Sequence, residues 1–314
     1  MSSPITSTSF AKTLWPGVNA WYGKAYDEYP VEYTQLFETE SSNRAFEEDV
    51  GISSFGLAQV KPEGQSVAFD EEKQAFITRY AHAVYALGFI VTREIYEDDL
   101  YDVVAARRAK GLAFSMRQTR EVVGANVYNR AFNGSFTGGD GVSMINAAHP
   151  NFAGGTQSNQ LAVPADLAEA ALEQACIDIS KWTNDRGLRI NVVPQKLIVP
   201  TDVQFEAERI LGSEYRTAAY MSATFAGATD SNDINALHQM GKLPQGYCIN
   251  HYLTDTDAWF LRTNAPDSLK HFVRRGVEFT IDNEFDTENA KYKATERYSF
   301  GWTDWRGIYG SEGA

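Results

Sequence analysis

Cysteine is almost absent from this chain: of 314 residues only Cys176 and Cys248 carry thiols. Two thiols build no disulfide framework, and the five histidines (His82, His149, His238, His251, His271) stand at no metal-ligand spacing. The pair reads as buried thiols of a reducing cytoplasm. Basic charge is also short, since 28 Lys and Arg face 41 Asp and Glu and leave a formal net charge of -13. Nucleic-acid binding needs clustered cations to displace counterions, so any contact with DNA is expected to be weak and non-specific. No apolar run approaches the roughly 18 residues of a membrane span. Residues 1–30 lack both the apolar stretch of a secretory signal and the Arg-rich pattern of an import signal, so the expectation is a protein made in the cytosol.

What is present is alternation. From Arg274 onward Val277, Phe279 and Ile281 fall on one side, with Glu278, Thr280 and Asp282 on the other. An acidic turn follows (Asp282, Glu284, Asp286, Glu288), then a second apolar row of Tyr292, Ala294, Tyr298, Phe300 and Trp302. Lys291, Lys293, Thr295, Arg297 and Ser299 lie opposite, and Glu296 is the one break in the apolar row. Period two predicts a long antiparallel hairpin with a charged tip. One small domain can hardly cover the faces and edges of such a ribbon, which points to neighbouring subunits.

Residues 1–30 are rich in Ser and Thr with scattered aromatics (Phe10, Trp15, Trp21, Tyr22, Tyr26, Tyr29), a composition that predicts an arm lying on something else. From Tyr33 to Asp70 the chain is acidic and broken by Gly51, Gly56, Pro62 and Gly64, which predicts a protruding two-armed loop. Strands at the root of that loop are expected over 75–92, where Phe76, Ile77, Val84 and Phe89 cluster. Three-four spacing of Leu100, Val104, Leu112, Met116, Val123 and Val127 predicts a helix over 98–132. It would be a rod of about 50 Å, opened by Glu97, Asp98 and Asp99 and closed near Arg130. Beyond it lies a glycine-dense loop, then a helix from Pro164 through Ile179, a buried strand over 195–199 and a helix over 201–211 capped by Thr201. Strand-like alternation returns over 247–261. The region 135–265 therefore reads as a compact α/β-layered unit set between the long helix and the closing hairpin.

The motifs that resemble catalytic signatures are weak. Gly138-Gly139-Asp140-Gly141 lacks the Lys-Ser/Thr and the following helix of a phosphate loop. Cys248 and His251 are three apart, on opposite faces if both lie on a strand. His149 in the glycine-rich loop has no partner carboxylate assignable from sequence, so a loop hydrogen bond is the expected role. The acidic turn lacks the ordered twelve-residue ligand pattern of a calcium loop.

A resemblance is carried by longer runs in a fixed order: Thr-Arg-Glu-Ile-Tyr-Glu-Asp-Asp-Leu from Thr92, Ser-Met-Arg-Gln-Thr-Arg-Glu from Ser115, and Ala-His-Pro from Ala148. Gly-Leu-Arg-Ile-Asn-Val-Val-Pro-Gln-Lys-Leu-Ile-Val-Pro from Gly187, Asn-His-Tyr-Leu-Thr-Asp-Thr-Asp-Ala-Trp-Phe from Asn250 and Ala-Thr-Glu-Arg-Tyr-Ser-Phe-Gly-Trp-Thr-Asp from Ala294 complete it. Over 85–310 the chain resembles a major capsid protein of a tailed bacteriophage, the Hong Kong 97-type shell fold.

The resemblance implies an α+β subunit with an N-terminal arm (1–32), an extended loop (33–74) and a peripheral domain whose first part (75–134) holds the spine helix 98–132. An axial domain (135–265) follows, and the peripheral closing hairpin with a C-terminal return (266–314) ends the chain. It implies self-assembly into hexamers and pentamers of an icosahedral head around double-stranded DNA, with no cofactor, no metal and no membrane contact. A separate scaffolding protein is expected, because thirty residues are too few for a scaffolding segment, together with a portal and decoration proteins. The virion is the expected location, with assembly in the host cytoplasm. From charge alone, the acidic loop residues Glu47, Glu48 and Asp49 are expected to meet basic residues of another subunit. Arg107, Arg108, Lys110, Arg117 and Arg120 of the spine are the candidates, and the hairpin-tip acids Asp286 and Glu288 are further contacts. Nothing in the lysines matches a cross-linking pattern. Two other readings stay open: an encapsulin-like compartment with protein cargo, and a soluble hydrolase using His149.

Overall fold

The computed structural model describes residues 19–53, 55–92, 94–95, 101–151, 154–215, 234–283 and 289–314. Phe10, Trp15, the helix-opening acids at 97–99 and the tip residues Asp286 and Glu288 lie outside the described residues. In chain order the elements are helices α1 (19–28) and α2 (Tyr33–Leu36), strands β1 (Glu38–Ser41), β2 (Phe46–Ile52), β3 (Gln74–Ala81) and β4 (Ala83–Val91), and the spine helix α3 (Tyr101–Asn129). After it come β5 (His149–Pro150), β6 (Thr156–Gln157), α4 (Glu169–Ser180), β7 (Pro194–Val199), α5 (Gln204–Gly212) and α6 (Ala236–Gln239). The last stretch holds β8 (Tyr247–Ile249), β9 (Trp259–Thr263), β10 (Leu269–Asn283), β11 (Ala290–Trp302), a 3-10 turn at Trp305–Gly307 and β12 (Ile308–Ser311).

Alternation makes the first sheet, ordered β1-β10-β11-β4. β10 and β11 form the expected hairpin, in register from Leu269 opposite Trp302 to Asn283 opposite Ala290, with irregularities around Arg275. Its buried row is the predicted one: Tyr292, Ala294 and Tyr298 face inward. β4 extends the sheet on the far side of β11, where Tyr85 stacks on Tyr298 at 4.5 Å and Phe89 on Tyr292 at 4.8 Å. Across this face lies α3, whose Ala105, Ala109, Leu112, Ala113 and Met116 are buried at three-four spacing. The small side chains let the helix approach closely. α1 closes the same core with Tyr22, Ala25 and Tyr26. The expectation that 1–30 lies on something else therefore fails for its described part, since three apolar residues on one face of α1 satisfy the subunit's own core.

The second sheet, β12-β9-β7-β8, takes β7, β8 and β9 from the stretch 135–265 and β12 from the end of the chain. Leu197, Ile198 and Val199 of β7 and Trp259, Phe260 and Leu261 of β9 are buried on both faces, as a central strand pair requires. Leu172, Ala175 and Ile179 of α4 pack on them. The C-terminal return takes the form of β12, which pairs with β9 from Ile308 opposite Arg262 to Ser311 opposite Trp259.

Three local expectations differ from the structure. The helix expected from Pro164 begins only at Glu169, because Ala165 is held by the C-terminal strand: its N–H donates to Ser311 Oγ at 3.0 Å, and its carbonyl accepts from Ser311 Oγ and Trp259 Nε1. The helix expected from Thr201 begins at Gln204 with Val203 in the cap position, since the chain first turns at 201–203 on leaving β7. The alternation over 247–261 divides into β8 and β9, and Asn129 at the end of the spine holds the turn between them through Tyr252 O and Thr254 N.

Candidate assembly surface

β2 and β3 form a separate two-stranded ribbon, connected along the chain to β1 through 42–45 and to β4 through His82. Register places Val50 opposite Ile77, Glu48 opposite Arg79 and Phe46 opposite Ala81. Phe46, Val50, Ile52 and Ile77 are exposed, and past the strands so are Phe55, Leu57, Val60, Val67 and Phe69, with Val60 and Phe69 each 95% accessible. Burying a side chain of this size is worth about 1.5–3 kcal/mol. An exposed row of them inside one acidic segment is the signature of a surface meant for contact.

The base of the ribbon is firmly held. Lys270, almost wholly buried, places Nζ 2.7 Å from Asp49 Oδ2, 3.0 Å from Asp267 and 3.8 Å from Glu40. Burial pulls its ammonium down, but hydrogen bonds to Asp49 and Asp267 hold it above the usual lysine range. Thr303 Oγ1 donates to Asp49 at 2.9 Å and lies 2.6 Å from the Tyr80 hydroxyl. His82, between β3 and β4, contacts Ser299 Oγ at 3.0 Å and Ser42 Oγ at 3.1 Å. Burial and the nearby Arg297 hold the His82 ring below its ordinary pKa, which suits a neutral link.

The residues singled out by charge fall into three groups. Glu47 accepts from Ser42 Oγ at 2.7 Å and lies 3.7 Å from Arg44, and Glu48 lies 3.8 Å from Arg79. Arg107, Arg108 and Lys110 are exposed on the spine, with Arg108 Nη1 donating to the Ile90 carbonyl at 2.5 Å. Asp49, Arg117 and Arg120 form the third group, turned toward the interior and engaged there. Arg117 is buried, donates through Nη2 to Tyr26 O at 3.0 Å and lies over the Tyr26 ring, while Arg120 pairs with the wholly buried Glu296. Burial pushes the Glu296 carboxyl up and Arg120 beside it holds it back, while burial pushes the Tyr26 hydroxyl up to about 12. The break in the apolar row of β11 was the sequence signal for this pair. Next to it, the Glu121 carboxylate accepts the N–H groups of Glu32 and Tyr33 at 3.1 and 2.9 Å, which fixes the start of α2.

His149 makes the loop hydrogen bond expected of it, and the partner that sequence could not assign is a carboxylate of the same loop: Nδ1 lies 2.6 Å from Asp140 Oδ2. Asn159 Oδ1, which also accepts the Asn146 N–H, lies 3.1 Å from Nε2, and the ring stacks on Trp305 at 4.9 Å. The imidazole is completely buried with both nitrogens engaged, so it offers no face to a substrate. The glycine-rich loop is likewise packed: a Cβ on Gly138 would lie 2.1 Å from Trp302, and one on Gly139 would lie 2.6 Å from the Ile77 carbonyl. Cys248 is buried, while His251 lies beyond β8, exposed, with Nδ1 2.6 Å from Glu32. A groove of about 370 Å³ between β3, the end of α3 and β11 is lined by Arg79, Tyr85, Arg130, Phe136 and Trp302, without carboxylate, imidazole or thiol. Among the described residues no cluster of His, Cys, Asp and Glu is arranged to hold a metal ion, and no helix is long and apolar enough to cross a membrane.

A spine helix laid across a long hairpin, a layered axial unit closed by the last strand and an acidic ribbon rooted where the two meet define a capsid subunit of the Hong Kong 97-type fold. The sequence signature described as phage capsid protein matches residues 75–311, and the chain belongs to that family. Its fold is similar to that of the bacteriophage JBD30 procapsid, at TM-score 0.54 and 14% identity over 98% of this chain and 76% of that one. It is also similar to a virus-like particle from Pyrococcus furiosus (TM-score 0.53, 11% identity, 94% and 97% covered) and to the capsid of Myoviridae phage XM1 (TM-score 0.50, 8% identity, 91% and 94% covered). No curated protein matches the chain significantly.

Proposed function

We propose that this chain is the major structural subunit of a tailed-phage head, assembling into hexamers and pentamers of a closed icosahedral shell around double-stranded DNA. The observation that carries the reading is the family match over 75–311 together with an exposed apolar, acidic loop. The loop buries its exposed apolar surface on neighbouring copies, in interfaces of the several thousand Å² usual for obligate assemblies. The net negative charge suits a wall that does not adhere to packaged DNA. Assembly proceeds in the host cytoplasm with a separate scaffolding protein, and a portal and decoration proteins join the virion. Glu47 and Glu48 of one copy meet Arg107, Arg108 and Lys110 of another, the cations exposed on the spine.

The experiment is assembly of Glu47→Lys/Glu48→Lys, followed by negative-stain microscopy. Closed particles from the wild-type chain and few or none from the variant are expected. Normal shells from the variant would exclude the charge pairing, and a wild-type chain that stays monomeric with scaffold present would exclude the function. Likeness to the Pyrococcus furiosus particle favours a second reading, a compartment with protein cargo. Particles filled with protein rather than nucleic acid would select it.

A further inference from the structure

Every residue of the segment 55–72 is exposed, yet the segment is tethered. Asp70 takes both of its contacts to Arg186 from one guanidinium nitrogen, Nη1 lying 2.9 Å from Oδ1 and 2.7 Å from Oδ2. Arg186 Nη2 also donates to the Glu71 carbonyl at 2.5 Å. Asp70 Oδ2 accepts the Gly56 N–H at 2.7 Å, so one carboxylate gathers both arms of the loop and joins them to the axial unit. Arg186 is delivered by a fixed turn: Asn184 Oδ1 accepts the N–H groups of Arg186 and Leu188, and Gly187 takes the positive φ of 78° that closes it. Among the described residues, the hydrogen bonds that lead from 55–72 to the rest of the subunit all go to Arg186.

We propose that the Asp70–Arg186 contact is a strap that parks the acidic loop on its own subunit before assembly, and that a second copy of the chain frees the loop by competing for it. The inference rests on the shell reading above and adds its regulation. Two magnitudes favour a releasable strap over a permanent joint. Asp70 and Arg186 are partly solvent-exposed, and an exposed pair shifts an equilibrium by no more than about fivefold. The loop meanwhile carries Leu57, Val60 and Phe69 into solvent, and each gains far more than that factor when a partner covers it. The strap thus holds the loop in a lone subunit and yields to an interface. The Gly56 N–H and Arg186 hold the Asp70 carboxyl down at about 2, so the contact is intact at neutral pH and weakens with salt.

The test is amide hydrogen exchange over 55–72 in the full chain kept unassembled by dilution, for wild type, Asp70→Asn, Arg186→Gln and the double variant. Each single variant should raise exchange up to about fivefold, and the double should not exceed Arg186→Gln, because that variant already removes both the Asp70 and the Glu71 contacts. Unchanged exchange, or additive effects in the double, would overturn the strap. When assembly is triggered, the single variants should close shells sooner or at lower protein concentration. Slower assembly would mean that Asp70 and Arg186 act between copies, which also overturns the proposal. If no chain assembles, wild type included, the shell reading fails, and the exchange data decide the strap on their own.

Discussion

Glu296 offers the sharpest test of how the peripheral core is built. It is wholly buried on β11, in a row otherwise made of Tyr292, Ala294 and Tyr298. Arg120 Nη2 donates to its Oε2, the Tyr26 hydroxyl lies 3.5 Å from Oε1, and Arg120 also lies over the Tyr298 ring at 5.0 Å. Glu296→Ala leaves the guanidinium enclosed without its counter-charge, and Arg120 Nε already lacks an acceptor among the described residues. Orphaning one member of a buried pair costs about 3–5 kcal/mol. A domain has only about 5–15 kcal/mol to lose. Replacing both members by apolar residues of similar volume, Arg120→Met with Glu296→Leu, should recover most of that loss, because two desolvation penalties disappear together. Urea unfolding of the dilute chain, read by far-UV circular dichroism and by exchange of α1 amides, measures both variants. A loss under ~1 kcal/mol in Glu296→Ala, or a double variant as unstable as the single, would refute the assignment of this pair as the charged centre of the core.

His271 predicts an acid limit. Its ring is fully buried and stacked on Phe300 at 4.1 Å, and burial with the nearby Arg120 holds its pKa down at about 3. The unfolded chain takes up that proton below about 6.5 and the folded one does not until about 3, so stability is full above 6.5 and falls by about 1.4 kcal/mol per unit below it. Unfolding free energies from urea titration at pH 7.5 and pH 5 should therefore differ by about 2 kcal/mol more in wild type than in His271→Phe, and equal differences would refute the effect. Gly307→Ala should destabilise by about 1–3 kcal/mol, because its Cβ would lie 1.8 Å from that of Ser268. Ser268→Gly in the same chain should relieve much of it in thermal unfolding. In the proposed shell, spine helices at pentamer and hexamer positions should superimpose while the loops differ, as cryo-electron microscopy of both positions can show.

Much of the architecture was legible because it repeats. Alternation in β10 and β11 sets the hairpin and its buried row, three-four spacing sets the spine, and acidic residues interrupted by glycine and proline mark the outer loop, although 33–41 belong to the body as α2 and β1 and 74–81 form an arm of the ribbon. Helix starts were not legible at Pro164 and Thr201, since the first is decided by Ser311 and Trp259, more than ninety residues away. The same distance hid the contacts of the candidate surface. Lys270 meets Asp49 and Arg120 meets Glu296 only after the sheet has formed, so charge alone could not separate inward cations from outward ones. His149 and Asp140 were close in sequence, yet glycines at 138, 139 and 141 disguise a packed turn as an open loop.

The expectation that positional variation falls on the loop follows from where the spine is anchored. Its first half, Ala105 to Met116, belongs to the peripheral core with α1, Phe279 and Tyr292, and its last turn places Tyr128 in the axial core with Phe37 and Phe260. One continuous helix therefore belongs to both cores, and bending between them would break backbone hydrogen bonds or empty one of the cores, at several kcal/mol. The ribbon has no such double anchorage. Beyond the Lys270, Tyr80 and His82 contacts at its base, the described hydrogen bond to the body is the exposed Asp70–Arg186 contact, worth about 1 kcal/mol or less. A wall that sets identical chains in unlike surroundings strains its cheapest joint first. If the spines of the two positions were found bent against each other while the loops matched, this ordering of stiffness would be wrong.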